Sequence, residues 1–170
     1  AFKDQPQVKS AVHRTIAKTY AGLGEHNKSA AHYRSALQLL RGVADKDSPD
    51  VLTVTVESGG ALQQSGQWQE AEPLLRAALD KTRETLGVGH PTFLEALSHL
   101  CELAWARQDV DELRKLMGTF REHVEARRRT LGPNHRDTLD AMSRLGPYLS
   151  VIREQVEAEM RKYTGDILQT

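Results

Sequence analysis

The sequence predicts an all-α fold, a solenoid of antiparallel helix pairs, from three observations. Two spaced markers recur along the chain, apolar residues between them fall three and four apart, and the composition is polar yet charge-balanced. Gly24, Gly66 and Gln108 lie 42 residues apart in turn, within YAGLGEHNKSAAHYRSALQ, LQQSGQWQEAEPLLRAALD and AWARQDVDELRKLMGTFRE. Ser48-Pro49-Asp50-Val51 and His90-Pro91-Thr92-Phe93 keep the same 42-residue spacing. The next copy, His135-Arg136-Asp137-Thr138, comes 45 after His90, so the third unit carries three extra residues, expected in its second helix after Gln108.

Each unit reads as two helices. In unit two the second helix is apolar at Trp68, Ala71, Leu74, Leu75, Ala78, Leu79 and Leu86, one face of a 3.6-residue period. Unit one repeats it at Tyr33, Ala36, Leu37 and Leu40, and unit three at Val110, Leu113, Leu116, Met117, Phe120 and Val124. Gly24 and Gly66 suit helix ends because glycine takes positive φ without a Cβ clash. Ser48, with Pro49 at a first-turn position, is a start signal. Ala17, Gly59 and Cys101 are equivalent in the first helices, and Ala36 and Ala78 in the second, where close helix crossings need small side chains. Cys101 therefore reads as a small packed hydrophobe rather than a reactive thiol.

The chain has 170 residues, with 23 Lys plus Arg balancing 23 Asp plus Glu. That balance argues against a nucleic-acid or anionic-membrane coat, each of which needs basic excess. Aromatics are 5%, so the core must be Leu, Ala and Val. One cysteine leaves no internal disulfide. No apolar run approaches the about 20 residues of a membrane span. Ala1 rather than Met opens the chain, so we expect a piece of a longer protein, cytoplasmic in location.

These residues resemble the tetratricopeptide repeat (TPR) family in its long form of roughly 42 residues, found in kinesin light chains and many bacterial signalling proteins. The resemblance rests on Tyr20, Gly24, Tyr33, Ala36 and Leu37, on Gly59, Leu62, Gly66, Trp68, Ala71 and Ala78, and on the linkers from Leu86 to Pro91 and Leu131 to Arg136. It spans about residues 5–146. Unit three departs from it, with Gln108 for the turn glycine and Leu113 and Phe120 where the pattern prefers alanine. Residues 5–25 are also similar to TPR regions of bacterial serine/threonine protein kinases, although no kinase motif is present. The resemblance implies a right-handed superhelix of three pairs, repeats at 5–46, 47–88 and 89–133, a partial fourth at 134–146 and a C-terminal helix at 147–166, all in one domain over 1–170.

The fourth unit begins near Arg136, with Leu139, Met142 and Leu145 expected on one face. Pro147 then either kinks that helix or opens a new one after a stop at Leu145; the second is preferred. Ile152, Val156, Met160, Tyr163 and Ile167 continue at helical spacing. This segment either caps the last repeat or pairs with another chain, which would make a homodimer.

No catalytic constellation, cofactor motif or metal-ligand spacing stands out, so none is expected. His90 and His135, at equivalent linkers, are expected to cap a helix or pack between units. Arg127-Arg128-Arg129 reads as solvated charge favouring a helix C-terminus. Function then falls to the concave face formed by the first helices. By helical spacing and the positions the family uses, the lining is Arg14 and Lys18, then Thr53, Val56, Gln63 and Gln64, then Glu95, Ser98, His99, Glu102 and Trp105. Its first end would be cationic and its other end anionic. Trp105 is either a peptide anchor or packed against a loop or the C-terminal helix. The expected activity is non-enzymatic binding of a protein or peptide partner, within a larger signalling protein, without nucleic acid or membrane. Self-association through the C-terminal helix and a kinase's regulatory tail are the alternatives.

Overall fold

The computed structural model describes residues 5–144, 146–149 and 153. Within them the chain is all helix and turn, with no strand. Six helices run in order: α1 Pro6–Gly22, α2 His26–Arg41, α3 Pro49–Gln64, α4 Trp68–Thr85, α5 Pro91–Ala106 and α6 Val110–Leu131. Residues 136–144 and 146–149 are also helical.

The repeat is a repeat of boundaries. α1, α3 and α5 each begin on a proline, whose missing N–H costs nothing at a first-turn position. Ser48 caps α3 by accepting from the Val51 amide. His90 and His135 do the same work with an imidazole: Nδ1 accepts from the amides of Thr92 and Asp137, at 3.2 Å in both cases. The ends of α1, α3 and α5 share one turn. The amides of Glu25, Gln67 and Asp109 each donate to a carbonyl five residues back, on Tyr20, Leu62 and Ala104, at 2.9 Å. The residue before each lies at positive φ: Gly24 at 75°, Gly66 at 79° and Gln108 at 57°. α6 is 22 residues long against 18 for α4, which accommodates the extra length of the third unit.

The chain divides into two compact units, Ala1–Leu103 and Ala104–Thr170. In the first, α1 packs on α2, α2 on α3 and α3 on α4. Ala36, Leu37, Leu40, Val51 and Val54 form one core cluster. Ala17, Cys101 and Ala78 are buried as close-packed small residues. Gly59 is tighter still: an added Cβ would lie 2.6 Å from Cδ2 of Leu75 on α4.

In the second unit α6 buries Leu113, Leu116, Met117, Phe120 and Val124. One expectation fails here. Arg127 is not solvated: it is buried and pairs with Asp137 at 3.1 Å, while Arg128 pairs with Glu125. The long guanidinium stem packs and its head meets an acid from the next helical segment. The fourth unit's inward face is Thr138, Ala141 and Tyr148, leaving Leu139 and Met142 exposed. Thr138 is drawn in because its hydroxyl donates to the Gly132 carbonyl at 2.9 Å, which fixes the helix rotation one residue off the apolar count. The stop expected at Leu145 and most of the C-terminal helix lie outside the described residues.

Candidate functional site

The first unit holds a concavity of about 260 Å³, lined by Lys18 and Ala21 of α1, Ser29 and Tyr33 of α2, Glu57, Gly60, Ala61 and Gln64 of α3, and Glu95 and His99 of α5. It contains four of the residues expected in the groove, Lys18, Gln64, Glu95 and His99; Arg14 is not in the lining but bonds Glu57, which is.

Glu57 organises one side. Its carboxylate accepts two hydrogen bonds from Arg14, at 2.5 Å from Nε and 2.7 Å from the terminal nitrogen, and lies 3.1 Å from Lys18 Nζ. The forked pair matches guanidinium geometry to carboxylate geometry. Glu57 raises the Arg14 pKa above its ordinary value through this hydrogen bond. The expected cationic end is therefore partly offset by Glu57, an acid absent from the expected lining.

On the other side His99 Nδ1 lies 2.7 Å from Gln63 Oε1, and Gln63 Nε2 donates to Glu102 Oε2 at 2.7 Å. With the amide nitrogen committed to a carboxylate, the amide oxygen must accept from Nδ1–H, which leaves Nε2 of a neutral imidazole as an acceptor. The ring has space because residue 60 is glycine: a Cβ there would lie 2.4 Å from His99 Nε2. Tyr33 is buried, and desolvation, then the negative charge of Glu57, push its hydroxyl up to about 12. Ser29 is also buried, and its Oγ has no hydrogen-bond partner among the described residues.

Other expected residues fall elsewhere. Val56 and Ser98 are core, at 0% and 8% exposure, and present nothing to a guest. They share the 42-residue register of Arg14, which escapes burial because its long side chain reaches Glu57. Thr53 bonds the Thr92 hydroxyl at 3.2 Å across to α5. In the second unit Trp105 is 48% exposed and meets Tyr148 edge-on, with ring centroids 5.9 Å apart. Its ring thus packs against the later helical segment.

Among the described residues no cluster of three or more His, Cys, Asp or Glu could hold a metal ion. None of the described helices is long and apolar enough to cross a membrane.

Residues 9–84 match the family model described as tetratricopeptide repeat. No curated protein matches the sequence. Among solved structures, BtubC (BKLC) from P. vanneervenii superposes with a TM-score of 0.73 at 18% identity, over 99% of this chain and 68% of that one. A Podosopora anserina protein named for the kinesin light chain, built of nearly identical TPR-like repeats, gives 0.72 at 19% identity over 99% and 78% in one structure. A second structure under that name gives 0.58 at 16% identity over 98% and 97%. Residues 9–84 thus resemble tetratricopeptide repeats, and the chain shares the fold of these solved repeat structures.

Proposed function

We propose that this protein is a non-enzymatic interaction module that holds a peptide or helix of a partner protein in the concavity lined by α1, α2, α3 and α5. TPR repeats in general are protein-interaction modules. The observation that carries the reading is the concavity itself. Side chains from three successive first helices converge on one open space, and these include Lys18, Gln64, Glu95 and His99. A repeat surface offers many adjustable contacts to an extended guest, which suits recognition rather than chemistry. The reading extends to a cytoplasmic place in a larger signalling protein; the likeness of residues 5–25 to kinase-linked repeats supports a regulatory tail, and the flanking reading frame tests it.

Selection of a random peptide library on the whole chain, followed by titration against Gln64→Trp, tests the groove. Gln64 is exposed, so tryptophan fills the space without disturbing the core. Selected peptides should lose about tenfold in affinity, the effect of blocking one good contact. Peptides that bind the variant as tightly as the parent would remove the groove reading.

A second reading, self-association, is favoured by one observation. Leu139, Met142 and Leu149 are all exposed, at helical spacing, in the second unit. Sedimentation velocity of the parent and of Leu139→Glu with Met142→Glu decides it: a parent that stays monomeric at high micromolar concentration removes it.

A further inference from the structure

We infer that the concavity binds the ammonium group of a lysine side chain from the partner peptide, with Glu95, His99 Nε2 and Ser29 Oγ as its acceptors. The inference rests on the groove reading and names what the guest must carry.

Some groups around the space are already satisfied and others are not. Lys18 and Arg14 look like anion receptors, yet both are held by Glu57. Glu57 is in turn occupied by them, its side chain only 9% exposed. What remains has the opposite character. Glu95 lines the space; its charge acts on Arg14 and Tyr33 from a distance, and its carboxylate is not taken up by the Glu57 pairing. With Nδ1–H used on Gln63, Nε2 of the neutral His99 ring carries a lone pair, beside Gly60.

Ser29 supplies the independent observation. It is fully buried, lines the same space, and its hydroxyl is unpartnered. The 42-residue register sets it against Ala71 in the next unit, where a methyl packs with no polar demand. A hydroxyl at that site is an uncompensated buried group until something arrives to bond it.

One carboxylate, one imidazole lone pair and one hydroxyl oxygen make three acceptors, which match the three donors of an ammonium group. An arginine brings five donors in a wide fork and would leave some unmet. A guest carboxylate would face Glu95.

The probe is Nα-acetyl-lysine N-methylamide, titrated into the 15N-labelled chain at low salt, beside the norleucine, arginine and glutamate counterparts. The lysine probe should move the amides of Ser29, Gly60, Glu95 and His99 along one saturating path, and norleucine should leave them still. Glu95→Gln should weaken the lysine probe about tenfold or more, the scale of one charge-assisted hydrogen bond. Ser29→Ala, which copies the neighbouring repeat and so keeps the packing, should weaken it several-fold. Equal shifts with norleucine, tighter binding of the glutamate or arginine probe, or unchanged affinity in both variants would overturn the assignment. A library that yields no groove peptide while the lysine probe still moves these amides removes the groove reading alone. Abundant groove peptides with no fixed lysine, and a silent probe, remove the lysine pocket alone.

Discussion

Gly60 on α3 lies directly beneath the His99 imidazole of α5, so close that a Cβ would stand 2.4 Å from Nε2 and 2.7 Å from Cε1. Glycine in a helix interior costs about 1 kcal/mol relative to alanine, and here the missing methyl is the space the ring occupies.

Three glycine-to-alanine variants should therefore rank in a fixed order. Gly118 on α6 has no neighbour within 4 Å of an added Cβ, so Gly118→Ala should stabilise by about 1 kcal/mol. Gly60→Ala meets the end of a side chain that can swing away, so the same propensity gain is offset by loss of the His99–Gln63 bond, and stability should change by less than about 1 kcal/mol. Gly59→Ala strikes both Cδ2 and Cγ of Leu75, at 2.6 and 2.7 Å, and should destabilise by about 1–3 kcal/mol. Urea denaturation of the three proteins checks the order.

Replacing Glu57 by glutamine keeps the shape and removes the charge that Arg14 and Lys18 share. A hydrogen bond to a charged group contributes about 1.5–3 kcal/mol. Both cations keep partial contact with water, so the loss should sit near the lower figure. Added salt should destabilise the parent more than Glu57→Gln. Equal salt slopes in thermal melts would contradict the pairing.

Alkali should act through Tyr33. Its folded-state pKa is raised from 10.0 to about 12, chiefly by desolvation. Between those values the unfolded chain has released a proton that the native state still holds, so rising pH favours unfolding. The contribution is intact below pH 10 and is lost as pH climbs towards 12. The midpoint of melting should fall more steeply over this window in the parent than in Tyr33→Phe.

Gln108 is a non-glycine residue at φ 57°, in a turn otherwise made by Gly24 and Gly66. A side chain in that left-handed region costs about 1–2 kcal/mol. Gln108→Gly should recover about 1 kcal/mol of it, the gain being reduced by the greater freedom of glycine in the unfolded chain. Chemical denaturation checks the sign: a loss of stability would mean the Gln108 side chain contributes more than its backbone costs.

The repeat was legible because its boundary chemistry is local. A proline start, a serine or histidine cap and a positive-φ turn are each written in a few adjacent residues, and the hydrogen bonds follow them even where Gln108 replaces glycine. The lining was less legible, because it depends on helix rotation. Counting put Val56 and Ser98 on the inner face, whereas Glu57 and Gly60, one and four places on from Val56, hold it. The sequence does carry a signal for Glu57: the 42-residue register equates it with His99, an expected lining residue. Ser29 could have been marked as a hydroxyl where the next repeat has Ala71. Arg127 and the rotation of the fourth unit depend on Asp137 and the Gly132 carbonyl, long-range partners that periodicity does not encode.

The seams between neighbouring first helices differ in kind. α1 meets α3 through full charges at Arg14, Lys18 and Glu57, while α3 meets α5 through the Thr53–Thr92 hydroxyls and the Gln63 amide. Ions in solution weaken the former and barely touch the latter. Ionic strength thus becomes a selective dial, loosening the joint nearest the amino terminus while the next stays taut.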